Sequence, residues 1–195
     1  ICKATVFFNH TEIARYLLLE KNADVDNSSD YYSCREAPLH VASRHDYVEM
    51  VRLLLENGTQ VDLKNRAGDT LLLVAVEGGP VYFDQNKWEY SEKRNSHVQV
   101  IRLLLEHGAN VNLQNCKTGD TPFHKAVSSN NLGLVRLLLE NGAKADRKNI
   151  MTGQAPLHMA AEMSEVTIVR VLLEHGAVVN VHDEKGRTPI HCALK

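Results

Sequence analysis

The chain has 195 residues, 44% of them hydrophobic and 24% charged, with a formal net charge of −2. That length and apolar content suffice for a continuous core, and the near-neutral balance supplies no field that would steer the chain to nucleic acid or an anionic membrane. No apolar run reaches the roughly 18 residues of a membrane-spanning helix, and the opening ICKATVFFNH lacks the layout of a secretory signal. Cys2, Cys34, Cys116 and Cys192 are scattered without a C-x-x-C. They read as free thiols, not as a disulfide framework or zinc site, and the expected location is the cytoplasm, the nucleus or both.

The first predicted helix lies in TEIARYLLLE, Thr11–Glu20, and residues 1–26 read as a repeat that lacks its first part. The loop 27–36 carries Tyr31 and Tyr32, aromatic pairs of the kind that anchor interfaces when exposed. Residues 34–64 hold a short helix beginning in APLHVA (Ala37–Ala42), a turn at Asp46, and a longer helix in VRLLLENG from Val51. Residues 66–114 repeat the plan with TLLLVA (Thr70–Ala75) and IRLLLEHGANVN (Ile101–Asn112). Ala75 to Arg102 is 27 positions where Ala42 to Arg52 is 10, so about 17 residues are inserted. The insert, near 78–95, opens with the breaker Gly78-Gly79-Pro80 and carries Tyr82, Phe83, Trp88 and Tyr90, an aromatic content unlike that of a plain linker. Two readings stay open for it, a disordered or self-packed surface loop and a protruding element that helps to select a partner. Residues 116–148 and 150–182 are regular units built on TPFHKA (Thr121–Ala126) and APLHMA (Ala155–Ala160). Residues 184–195 begin a further unit with TPIHCA (Thr188–Ala193) and stop inside its helix, as expected of a piece of a longer chain.

The period, read from Ala37 to Thr70 and from Ala155 to Thr188, is 33 residues. Thr121 is placed to cap a helix with its hydroxyl, and Pro122 occupies the first helical position, where its missing N–H costs nothing. Leu134, Val135, Leu137 and Leu138 form a stripe at i, i+3, i+4 spacing, and Gly142 is free to end that helix in a left-handed conformation. In each repeat the paired leucines (Leu53 and Leu54, Leu103 and Leu104, Leu137 and Leu138, Leu172 and Leu173) are expected to be buried. Buried Leu contributes about 1.5–3 kcal/mol each. One unit of this kind cannot cover its own apolar faces, so units must stack. The T-P-L-H-x-A motif at this period resembles the ankyrin-repeat family over nearly the whole chain. The resemblance implies an all-α solenoid of stacked helix-turn-helix units with β-turn finger loops, read here as a single domain over residues 1–195.

Ten histidines invite a metal or acid–base reading. The resemblance gives His40, His124, His158 and His191 another role, bonding the capping Thr and the backbone of the neighbouring loop. No H-E-x-x-H, phosphate loop, G-x-S-x-G or paired carboxylate is found, so neither enzyme activity, cofactor nor metal is expected. The resemblance implies instead a protein-binding module whose concave face is made by finger turns and the exposed ends of the first helices. Matched by motif position, the candidate residues are Arg44, His45, Glu77, Ser128, Ser129, Glu162 and Met163 on helices, with Arg66, Asp69, Lys117 and Met151 on fingers. Tyr31, Tyr32, Tyr82, Phe83, Trp88 and Tyr90 join them from the long loop and the insert. Their mixed charge argues for a protein partner, without nucleic acid or membrane, and the chain is expected to be monomeric. The alternative is a structural or regulatory spacer in a larger signalling, channel or ubiquitin-ligase adaptor protein. Asn112 and Asn180 stand in a V-N position that resembles a site of asparaginyl hydroxylation in ankyrin repeats.

Overall fold

The computed structural model describes residues 9–21, 24–26, 37–78 and 92–194, with side chains in the last stretch from residue 96. Among them are ten helices and no strand, with one isolated antiparallel bridge between Lys64 and Thr70. Two compact units divide the chain, residues 1–110 and 111–195. The first holds α1 (Thr11–Leu19), α2 (Pro38–Arg44), α3 (Val48–Glu56), α4 (Leu71–Gly78) and α5 (Glu92–Glu106). The second holds α6 (Pro122–Ser128), α7 (Leu132–Glu140), α8 (Pro156–Glu162), α9 (Val166–Glu174) and α10 (Pro189–Ala193).

Within each unit the helices pair and layer. In the first, α2 packs on α3 and on α4, α4 on α5, and α3 lies between α1 and α5. In the second, α6 packs on α7 and α8, α8 on α9 and α10, and α7 on α9. First helices of successive repeats thus touch one another, as do second helices. This is the stacking that no isolated repeat could replace.

Local chemistry sets each boundary. The backbone N–H of His124 donates to the Thr121 hydroxyl at 3.2 Å, and that of Leu73 to the Thr70 hydroxyl at 3.3 Å. Ala37 and Ala155 offer no such oxygen, and their helices start without a side-chain cap. The turn into the second helix requires a left-handed residue. Asp46, Asn130 and Ser164 supply it with φ of 57°, 52° and 58°. The helices α3, α5, α7 and α9 each end two residues before a glycine of positive φ, and the residue between them closes the last turn. Asn57, His107, Asn141 and His175 each bond the carbonyl four residues back, at 2.8 Å. His107 and His175 therefore serve as hydrogen-bond partners of the helix end.

Two expectations need correction. Leu173 is 40% exposed, although its paired leucine Leu172 and the other six are buried. As the Gly78-Gly79-Pro80 run implied, α4 ends at Gly78. A Cβ there would lie 2.9 Å from the Arg44 carbonyl oxygen, so glycine lets the end of α4 close on the end of α2. The chain is helical again from Glu92, which leaves 79–91 as the segment between α4 and α5 and gives α5 15 residues where other second helices have nine.

Fingers approach closely in the second unit, and this generates a test. Gly119 has φ 77°, and a Cβ there would collide with the Asn149 side chain, whereas Gly142, at φ 84°, faces open space. Gly142→Ala is expected to cost about 1 kcal/mol, the price of a left-handed Ala, and Gly119→Ala about 2 kcal/mol or more because Asn149 must also be displaced. Urea unfolding of both variants measures the difference.

Candidate protein-binding surface

The fingers are built on the first residue of each turn. Asn115 Oδ1 accepts from the N–H groups of Lys117 (2.6 Å) and Thr118 (3.0 Å), and Asn149 Oδ1 from those of Met151 (2.7 Å) and Thr152 (3.0 Å). Asn149 Nδ2 donates back to the Thr118 carbonyl at 3.0 Å and to Asp120 Oδ1 at 2.7 Å. One side chain thus folds its own finger and fastens the preceding one. Asp183 folds the last finger in the same way, taking the N–H groups of Lys185 and Arg187 on Oδ1 and the Arg187 guanidinium on Oδ2, all within its own turn. Burial opposes ionisation of Asp183, but the Arg187 and Lys185 bonds outweigh it and hold the carboxyl at about 2, below its ordinary 3.8.

Behind the fingers stand the histidines. His124 Nδ1 accepts the backbone N–H of Thr121 at 3.2 Å and lies 2.7 Å from its hydroxyl, and Nε2 lies 3.4 Å from the Gln154 carbonyl. His158 repeats this with the N–H of Ala155 (3.1 Å) and the Arg187 carbonyl (2.9 Å). With Nδ1 accepting, the neutral ring carries its proton on Nε2 and donates to the next finger. Burial pushes the His124 imidazole below its ordinary 6.5, against the opposing pull of Asp120 and the Gln154 carbonyl. His191 bonds Thr188 in the same way. His40 is buried at the matching position.

On this frame the structure exposes Arg44, His45, Arg66, Glu77, Lys117, Ser128, Ser129, Met151, Glu162 and Met163, and half-buries Asp69. In the first unit Arg44 and His45 end α2 and Glu77 lies near the end of α4, while Arg66 and Asp69 lie on the finger between α3 and α4. The Asp69 N–H donates to Asn65 Oδ1 at 3.0 Å. In the second unit Ser128 and Ser129 end α6, Glu162 and Met163 end α8, and Lys117 and Met151 sit on adjoining fingers. The Ser128 and Ser129 hydroxyls donate to the carbonyls of Lys125 and Ala126. Tyr31, Tyr32, Tyr82, Phe83, Trp88 and Tyr90 lie outside the described residues. No group of His, Cys, Asp or Glu among the described residues could hold a metal ion, and no described helix is long and apolar enough to cross a membrane.

Three features escaped sequence reasoning. Ile150, beside Met151, makes that fingertip apolar and exposed. His97, buried within α5, places Nδ1 3.0 Å from Asp46 Oδ1 in the turn of the preceding repeat. Asn130 Nδ2 makes the matching bond to Glu165 Oε1 at 2.6 Å in the second unit. Asp62 and Asn112 close the loops, accepting the N–H groups of Asn110 and Lys144, and Asn112 Nδ2 also donates to the Gly142 carbonyl. The Asp or Asn that recurs after the second helices (Asp26, Asp62, Asn112, Asp146 and Asn180) was the signal for that last role.

A family model for ankyrin repeats, in three copies, matches residues 2–83, 93–149 and 145–195. The chain belongs to the ankyrin-repeat family. The match skips 84–92, within the insert. No curated protein matches the chain. Ankyrin repeats are in general protein–protein interaction modules and typically lack catalysis.

Both shifted groups give pH tests. Asp183 is more acidic folded than unfolded, so its stabilisation is complete above about pH 4 and disappears as pH falls towards 2. Asp183→Asn should therefore lower Tm at pH 6, and the gap to wild type should close by about pH 2. His124, less basic when folded, stabilises fully above 6.5 and loses that contribution as pH falls below it, because the unfolded ring takes the proton first. NMR titration should place its midpoint below 6.5.

Proposed function

We propose that the chain is a non-catalytic recognition module that binds one protein partner across its finger loops and first-helix ends, with the aromatic insert of the third repeat contributing selectivity. The carrying observation is that exposed side chains change from repeat to repeat above the same bonded frame. Arg44–His45, Ser128–Ser129 and Glu162–Met163 occupy one motif position and share neither charge nor size. A scaffold that keeps its backbone fixed while its surface varies is suited to selecting a partner. Mixed charge fits a protein surface, since nucleic acid would favour a basic stripe. The sequence of the insert supports its part in the reading, because aromatic side chains concentrate binding energy. The cytoplasm or nucleus is the proposed compartment.

The test compares binding of a partner captured by the intact chain with two variants. In one, residues 79–91 are replaced by a short Gly-Ser link, and in the other Glu162→Arg is combined with Met163→Asp. Circular dichroism checks that both fold. Each variant is expected to weaken the complex about 30-fold or more, the effect of losing roughly 2 kcal/mol at a hot spot. Unchanged affinity in both would overturn the reading in favour of a spacer role.

A further inference from the structure

Among the fingers of the second unit, the tip at 150–151 departs from its neighbours. Counted from the residue that folds each turn (Asn115, Asn149 and Asp183), the next position holds Cys116, Ile150 and Glu184, and the one after it Lys117, Met151 and Lys185. All six are exposed, Ile150 and Met151 at 55% and 53%. Fingers are in place on both sides of this tip, so its exposure belongs to the position, and only its chemistry differs. Two glycines bring the three tips together. A Cβ on Gly119 would lie 3.0 Å from Met151 Cγ, and one on Gly153 2.9 Å from Glu184 Cγ. Met151 therefore lies against the finger before it and Glu184 against the middle one, with Lys117 and Lys185 on either side of the apolar pair.

The charges around this strip are unequally spent. Asp120 accepts Asn149 Nδ2 at 2.7 Å and lies 3.2 Å from Lys125 Nζ, and Asp183 is taken up by its own turn and Arg187. Arg147 and Lys148, on the arm leading to the middle tip, bond neutral oxygens instead. The Arg147 guanidinium donates to Gln114 Oε1 at 3.0 Å and Lys148 Nζ to the His182 carbonyl at 2.7 Å. Such bonds fix where the cations stand without neutralising them. The exposed carboxylates of these fingers are Asp146 and Glu184, against four exposed cations, Lys117, Arg147, Lys148 and Lys185. The strip is apolar at its centre and positive around it, although the chain as a whole carries −2.

We infer that this strip takes an extended acidic segment of a protein partner, with one apolar side chain seated on Ile150 and Met151 and carboxylates on either side facing the lysines and Arg147. The inference rests on the recognition-module reading and adds the chemistry of what is recognised. Met151 suits the centre, because an unbranched thioether side chain adapts to the shape it meets. The surrounding cations attract acidic segments and reject basic ones, which sets register and speeds encounter. Ile150 and Met151 offer no ring on which a base could stack, which favours a peptide over single-stranded nucleic acid.

Fluorescence anisotropy of the full chain with a labelled peptide tests this. The probe has about nine residues, a central Leu with Asp and Glu on both sides, and spans about 30 Å when extended. It should bind with a Kd of about 10–100 μM at about 50 mM salt, and about tenfold more weakly at about 0.5 M. Ile150→Ser with Met151→Ser should weaken binding about tenfold at either salt. Arg147→Gln with Lys148→Gln, which keeps both donors and removes both charges, should weaken it about tenfold at low salt and flatten the salt dependence. Arg136→Gln with Arg170→Gln takes the same charge from α7 and α9 and should change affinity less than about twofold. If circular dichroism shows that the glutamines at 147 and 148 unfold the chain, Lys117→Ala with Lys185→Ala takes their place. No binding by about 1 mM peptide, equal affinity for a probe with Ser at its centre or Lys for its acids, or an equal loss in the α7 and α9 variant would each overturn the inference. Tighter binding of a single-stranded oligothymidine of the same charge would also overturn it. So would a captured partner that is weakened by the changes at 79–91 and Glu162–Met163 but not by those at 147–151, a result that leaves the module reading in place.

Discussion

His124 accepts on one ring nitrogen the amide that starts its own helix and places the other against the carbonyl of the next finger, and His158 repeats the arrangement. Much of the second unit follows from this bond pair. It needs a neutral ring with its proton on Nε2, which burial of His124 favours. Protonation would remove the acceptor at Nδ1 and cost the bond from the Thr121 N–H, while Nε2–H would still donate to the Gln154 carbonyl. The same bond is kept where Ala155 stands at the capping position. An Ala there leaves first-turn amides without a hydroxyl, which ordinarily costs about 1 kcal/mol. The Ala155 N–H is nonetheless satisfied, because His158 reaches back to it.

The fingers carry the constraint outward. Asn149 spends its oxygen on its own turn and its amide nitrogen on the finger before it, so two fingers share one side chain. Asp183 holds its turn through charge, accepting backbone and guanidinium donors at once. With the turn conformation settled by its first residue, the tips are relieved of structural duty. Lys117, Ile150, Met151 and Lys185 can differ without cost to the fold. That separation of frame from tip lets a repeat protein change what it recognises.

The sequence made much of this legible because the repeat compares the chain with itself. Thr121, Pro122, Gly142 and the leucine stripe each recur with the same local purpose, so helix positions and caps could be read from one copy and checked in the next. Side-chain partnerships a repeat apart were less visible. Asp46 and His97 are 51 residues apart, and the insert hid the register that aligns His97 with Asn131 and Glu165. The Gly-Gly-Pro run marked the end of α4, but the close approach of Gly78 to the Arg44 carbonyl had no signal in the sequence. Leu173 follows the same pattern as Leu55, yet one is exposed and the other buried. Periodicity identifies the side of a helix that can be covered, and packing decides whether it is.

The third repeat shows how a stacked frame accommodates an added segment. Residues 79–91 leave α4 at Gly78, which closes on Arg44, and enter α5, whose His97 is bonded to Asp46. Both attachments are to the same turn of the preceding repeat, two residues apart. In the second unit, where nothing is inserted, Asn130 and Glu165 make the corresponding bond. The insertion therefore keeps the contact by which one repeat's turn holds the next repeat's second helix, and substitutes an imidazole–carboxylate pair for an amide–carboxylate one.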